Sequence, residues 1–209
     1  MKPRLIAPLA AFTLAAVAAA RADLVMITDT AAGEVTSRTT LSISGDLVRT
    51  DNGTETSVIL DTKAGRMTTL MHEQKMLMTM DLKQLQAAVA ATPGAPGTTG
   101  ANATKVTATG KFETVQGHRC EIYTSENAGT VVTMWIAKNY PDYDKLKSQL
   151  NTFEKLNPTA KQPEMPGLAL KTEFTTSGIK FVTSLVSLKE QKVDPAVFKV
   201  PGDYKALGQ

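Results

Sequence analysis

The breaks between apolar runs limit this chain more than any other feature. From Leu24 to Met80 the sequence alternates in short runs rich in Thr, Val, Ile and Met: Leu24–Thr30, Glu34–Ile43, Asp46–Thr50, Thr56–Leu60, Arg66–Met71 and Met76–Met80. Between them lie only turn residues, such as Ser44-Gly45-Asp46, Asp51-Asn52-Gly53 and Asp61-Thr62-Lys63-Ala64-Gly65. Period-two alternation predicts strands with one face buried. Parallel neighbours need a crossover of a dozen residues, and these gaps are far shorter, so consecutive strands must pair antiparallel. Asn52-Gly53 strengthens this, because both residues tolerate positive φ.

Asp81 then predicts a helix N-cap, with Gln84 placed as in a capping box and Leu82, Leu85 and Val89 on one face. The Pro-, Gly- and Thr-rich stretch Thr92–Lys105 cannot build a core and is expected to be a mobile loop, 92–105. Strands resume at Lys105–Thr109, Lys111–Val115, Arg119–Ser125 and Thr130–Ala137. Pro141 opens a second helix, with Tyr143, Leu146, Leu150, Phe153 and Leu156 at helical spacing. A second proline-rich loop, Asn157–Gly167, precedes a hairpin of Leu168–Thr175 and Lys180–Lys189; Asp194-Pro195 makes a short turn and FKVPGDYK follows. Strands, a helix, strands, a helix and a hairpin spell an α+β fold: a large antiparallel sheet with two helices covering one face.

The first 22 residues read as a signal peptide. Lys2 and Arg4 precede the uncharged apolar run Leu5–Ala19, and Ala20-Arg21-Ala22 is a small-x-small cleavage site, giving Asp23 as the first mature residue. No later run is apolar and long enough to span a bilayer. The expected location is periplasmic or secreted, with residues 23–209 as a single domain. Three of the 23 basic residues leave with the signal, so 20 basic face 20 acidic ones and no nucleic-acid surface is indicated. Cys120 is the only cysteine, so no internal disulfide is available to an exported chain that would otherwise carry them in pairs.

Several stretches, ISGDLVRTDNGTETSVILDTKAGRMTTLMHEQKM, GKFETVQGHRCEIYT, VTMWIAKNYP, PGLALKTEF and FKVPGDYK, resemble the DUF4412 family of exported bacterial proteins. That family in turn resembles the LolA/LolB-like open half-barrels. The resemblance implies a curved sheet whose concave face is covered by helices and receives acyl chains of lipoproteins. It carries over no functional residue.

The stretch RMTTLMHEQKMLMTM holds five of the nine methionines. If His72–Lys75 form a four-residue hairpin loop, Met71 opposes Met76, Thr69 opposes Met78 and Met67 opposes Met80. All five methionines, Met67, Met71, Met76, Met78 and Met80, then share one face, with Thr68, Leu70, Leu77 and Thr79 on the other. Three readings are open: plain core, since methionine fills irregular gaps; the wall of a deformable apolar cavity, lined also by Phe112 and Trp135; or a Cu(I) site of Met76, Met78 and Met80 with His72 nearby.

Catalytic signatures are missing. The only histidines are His72 and His118, and no G-x-S-x-G, H-E-x-x-H or P-loop sequence occurs. His118 and Cys120 lie two apart on one strand face, which permits a thiolate–imidazole pair or merely a buried Cys beside an exposed His. These residues predict a non-catalytic protein without a cofactor. Its partner is an apolar small molecule or lipid, or an envelope protein that adds a strand to a sheet edge.

Overall fold

In the computed structural model, residues 23–84, 87, 105–127, 129–144, 146, 147, 150 and 165–207 are described. Their strands are β1 (Leu24–Ala32), β2 (Val35–Ser44), β3 (Leu47–Asn52), β4 (Thr56–Asp61), β5 (Arg66–Met71), β6 (Met76–Asp81), β7 (Val106–Val115), β8 (His118–Asn127), β9 (Thr130–Ala137), β10 (Leu168–Thr176), β11 (Ile179–Glu190) and β12 (Lys205–Ala206). They form one open, curved sheet in the order β12-β6-β5-β4-β3-β2-β1-β11-β10-β9-β8-β7. Every pairing is antiparallel except β12 with β6. The meander read from the turn spacing is the one observed.

Local chemistry explains the strand ends. His72–Lys75 is the expected four-residue loop, with Lys75 at φ 49°, and it gives the expected register of Met67 with Met80, Thr69 with Met78 and Met71 with Met76. The two strands expected around Gly110 are instead one, β7; Gly110, at φ 70°, takes up a bulge between Ala108 and Phe112. The register elsewhere places Leu24, Ile43, Val48, Leu60, Met67 and Met80 directly opposite one another across six strands. This row anchors the main core, which continues through Cys120, Trp135, Ala137, Leu168, Leu170, Leu185 and Leu188. Each fully buried leucine contributes about 2 kcal/mol.

Two helices covering one face are not confirmed. Asp81 does cap a helical turn, accepting from the amides of Lys83 at 2.8 Å and Gln84 at 3.4 Å. After Pro141 the helix opens with Tyr143, and the Leu146 amide donates to the Asp142 carbonyl at 3.0 Å. Residues 85, 86, 88–91, 145, 148, 149 and 151–156 of the two expected helices, and the expected loop from 92 to 104, lie outside the described residues. The one helix whose two ends are both described is a 3-10 turn, Pro195–Phe198, N-capped by Asp194. A second, smaller cluster of Tyr123, Met134 and Ile136 lies on the other face of β8 and β9. No helix among the described residues is long and apolar enough to cross a membrane.

Candidate functional site

Strands β1 to β6 carry two contrasting faces. On the first, the apolar row from Leu24 to Met80 gives way to Met26, Leu41, Thr50, Val58, Thr69 and Met78, and then to Thr28, Thr39, Asn52, Thr56, Met71 and Met76. Polarity therefore rises along the strands while the methionines persist on β6. Leu146 is buried against the apolar end of this face, and Tyr140, Tyr143, Leu150, Leu82 and Met67 pack against the same core. In the middle row Met78 is 38% exposed, while Met71 and Met76 at the polar end are half-buried. The methionine hairpin is thus core at Met67 and open surface at Met78, and no single one of the three readings describes it.

A pocket of about 220 Å³ opens beside the segment that begins at Tyr140. It is lined by His118, Tyr140, Pro141, Asp142, Leu146, Leu188 and Glu190, of which Leu146 and Leu188 belong to the main core. The His118 ring lies against Tyr140, with centroids 5.0 Å apart. Asp142 sits at φ 55°, where an L-residue is uncommon.

The other expected lining residues separate. Trp135 is 7% exposed in the main core; its indole N–H donates to Glu113 at 2.7 Å and the Lys171 ammonium lies 4.1 Å from its ring centroid. Phe112 does not join it. Register puts Phe112 opposite Glu121, and Glu121 opposite Ile136, the residue that alternates with Trp135. Phe112 is 49% exposed under the Arg119 guanidinium, on the face opposite the main core. Cys120 is buried, its thiol donates to the His118 carbonyl at 3.5 Å, and burial raises its pKa. With the imidazole against Tyr140, the two side chains do not form a thiolate–imidazole pair.

His72 stands apart from the methionine face. It shares the opposite face with Leu70, and both ring nitrogens are engaged: Nε2 with Ser57 Oγ at 2.6 Å and Nδ1 with the Tyr204 hydroxyl at 2.5 Å. A ligand set of Met76, Met78, Met80 and His72 would need His72 on the methionine side. Among the described residues no three or more His, Cys, Asp or Glu side chains are grouped to hold a metal.

The Ser57–His72 contact has the partners of a nucleophile–base pair, and the geometry assigns the protons otherwise. Ser57 is fully buried, and its hydroxyl lies 2.5 Å from the Asp51 carboxylate, which can only accept. The serine proton therefore points to Asp51. With its proton on Asp51, Ser57 Oγ accepts from Nε2–H of His72, and Nδ1 is left for the Tyr204 hydroxyl. Arg49 completes the network, donating to Asp51 at 2.7 Å, to Ser57 at 3.0 Å and to the Val197 carbonyl at 2.5 Å. A serine that donates to a carboxylate is not activated by the histidine. Sequence alternation gave no sign of this network, because its members meet only through the register of β3 with β4 and through the distant tail.

The model of the family "Domain of unknown function (DUF4412)" matches residues 23–204. The chain belongs to the DUF4412 family. This is the family that the turn and strand-end residues resemble. No curated protein matches the chain. Among solved structures, this DUF4412 chain is similar to PNGF-II in two crystal forms, at 11% and 10% identity and TM-scores of 0.42 and 0.44. In each, 88% of this chain covers only 30% and 31% of PNGF-II, so it spans about a third of that protein's length. A LolA superfamily protein from Nitrosomonas europaea is also similar, at 11% identity, 87% coverage of this chain, 91% of that one and a TM-score of 0.30. A DUF1329 family protein from Desulfovibrio piger gives 9%, 87%, 91% and 0.36. These scores are too low to carry an argument about what the DUF4412 chain binds.

Proposed function

We propose that this DUF4412 protein is a non-catalytic binding or carrier module of the cell envelope for an apolar ligand such as a lipid or acyl chain. The observation that carries the reading is the pocket at Leu146 and Leu188, which opens from solvent directly onto the main core. An apolar chain entering there is driven by burial against leucines. At about 220 Å³ the pocket is smaller than the roughly 300–1,000 Å³ of preformed ligand sites. Tyr140, Pro141, Asp142 and Leu146 must therefore move outward to admit a full acyl chain, with the methionine row as the deformable wall toward β6. Two helices over the concave face complete this reading. Export is part of the proposal: the family match begins at residue 23, where cleavage after Ala22 would start the mature chain. The buried Ser57, with its proton held by Asp51, supports a role without catalysis.

The test is a native mass spectrum of the chain recovered from periplasm without refolding. The expected result is added mass in the lipid range, released by organic solvent. A bare protein that also ignores added oleate overturns the proposal. Met78→Asp should weaken oleate binding at least tenfold, about 1.4 kcal/mol, without loss of fold. Full binding by the folded variant would remove the methionine row from the site.

A further inference from the structure

The tail from Gln191 to Leu207 runs as a strap across the polar face and ends on the outer edge of β6. Its early anchors are buried or deep. The Gln191 amide donates to the Asp23 carbonyl at 3.1 Å, and the Val193 amide to the Asp23 carboxylate at 2.8 Å. Val193 and Phe198 are buried. Beyond Tyr204 the hold changes. Lys205 donates its amide to the Lys75 carbonyl at 2.9 Å and Leu207 to the Leu77 carbonyl at 2.8 Å. The Lys75–Asp203 ion pair beside them is exposed, as is Leu207 at 52%. Exposed backbone hydrogen bonds and exposed ion pairs stabilise little, so this end is held less firmly than the rest of the strap.

The strap also covers the edge incompletely. β12 pairs with Met76 and Leu77 only, and among the described residues no strand pairs with the outer side of Met78–Asp81. An edge of this kind is a template for another extended segment. The resident strand suits it poorly: it sets Lys205 opposite Met76, at the start of the methionine row.

We infer that the outer edge of β6 is a strand-addition site for an extended peptide, and that the chain's own Lys205–Ala206 is its resident competitor. The partner runs parallel to β6, as the tail does. Its main chain takes the Lys75 and Leu77 carbonyls and continues along Met78–Asp81. Its alternate residues are apolar and lie against Met76, Met78 and Met80, whose unbranched side chains re-pack around different shapes. The inference shares the methionine row with the carrier reading but not the pocket: it rests on main-chain pairing at the sheet edge, so a peptide test reads it apart from oleate binding.

The test uses the full chain, its Leu207→Pro variant, and a fluorescein-labelled peptide copying residues 199–207. The substitution removes one of the two donors that seat the tail. Fluorescence anisotropy should give at least tenfold tighter binding to the variant than to the unmodified chain. A Lys205→Met peptide should bind tighter still, and a Leu207→Pro peptide at least tenfold weaker. Equal binding to both chains, or binding to neither, overturns the inference. Hydrogen exchange on the unmodified chain gives an independent measure that needs no variant. Amides of Lys205 and Leu207 should exchange through local opening, well before those of β4 and β5. Protection equal to that of the core would also overturn it.

Discussion

The two faces of β1 to β6 are built from the same residues' alternation, yet they are held by different physics. On one face Leu24, Ile43, Val48, Leu60 and Met67 form an apolar row under Leu146. On the other, Arg49, Asp51, Ser57, His72 and Tyr204 form a hydrogen-bond network under the carboxy-terminal strap. Apolar burial is non-directional, so the first face keeps its stability through changes of shape and suits a pocket beside a movable segment. Hydrogen bonds in a buried network are directional, and each loses its value if one partner shifts. The second face therefore fixes position, and specifically the position of the strap.

The largest effect should come from the apolar row. Leu24 is fully buried, and Leu24→Ala should lower unfolding free energy by about 3 kcal/mol, read from the urea midpoint. A loss below about 1 kcal/mol would mean that the row contributes far less than its burial indicates. Next comes the network. Ser57→Ala leaves Asp51, His72 and Arg49 each short of a partner and should cost about 2 kcal/mol. It should also speed hydrogen exchange in the strap, which Leu24→Ala should not do selectively. Equal exchange in the two variants would erase the distinction between the faces.

The smallest effect lies outside both faces and sharpens the contrast with the network. Glu173 accepts from Lys171 and Lys180, each at 2.8 Å, and these hydrogen bonds hold its carboxyl below the usual glutamate value. A depressed folded value contributes stability above the unfolded carboxylate range, and this is lost as pH falls through the folded value. Glu173→Gln should therefore cost less than about 1 kcal/mol at pH 7, and the two proteins should converge in acid. A difference that persists in acid would assign the effect to packing.

The strand edges came through from sequence where turn chemistry marked them. β5 and β9 keep the expected bounds, Arg66–Met71 and Thr130–Ala137, and the His72–Lys75 loop gives the expected pairing of the methionines. β12 was not legible, because two residues of the tail carry no periodicity and pair only with a distant edge. The pocket was legible only in part. Leu146 follows from helical spacing, but nothing local brings it to His118 and Leu188.

The sequence by itself determined the meander, the cap at Asp81 and the sharing of one face by five methionines. Alternation and turn residues act within a few positions, so a local reading suffices for them. Only the tertiary structure decided what those faces meet. It packed a half-buried Met67 against the core and exposed Met78, parted Phe112 from Trp135, and brought Tyr204 to His72 across 132 positions of chain. Such contacts depend on how the whole sheet curves and where the tail returns, and the residues concerned carry no local signal of either.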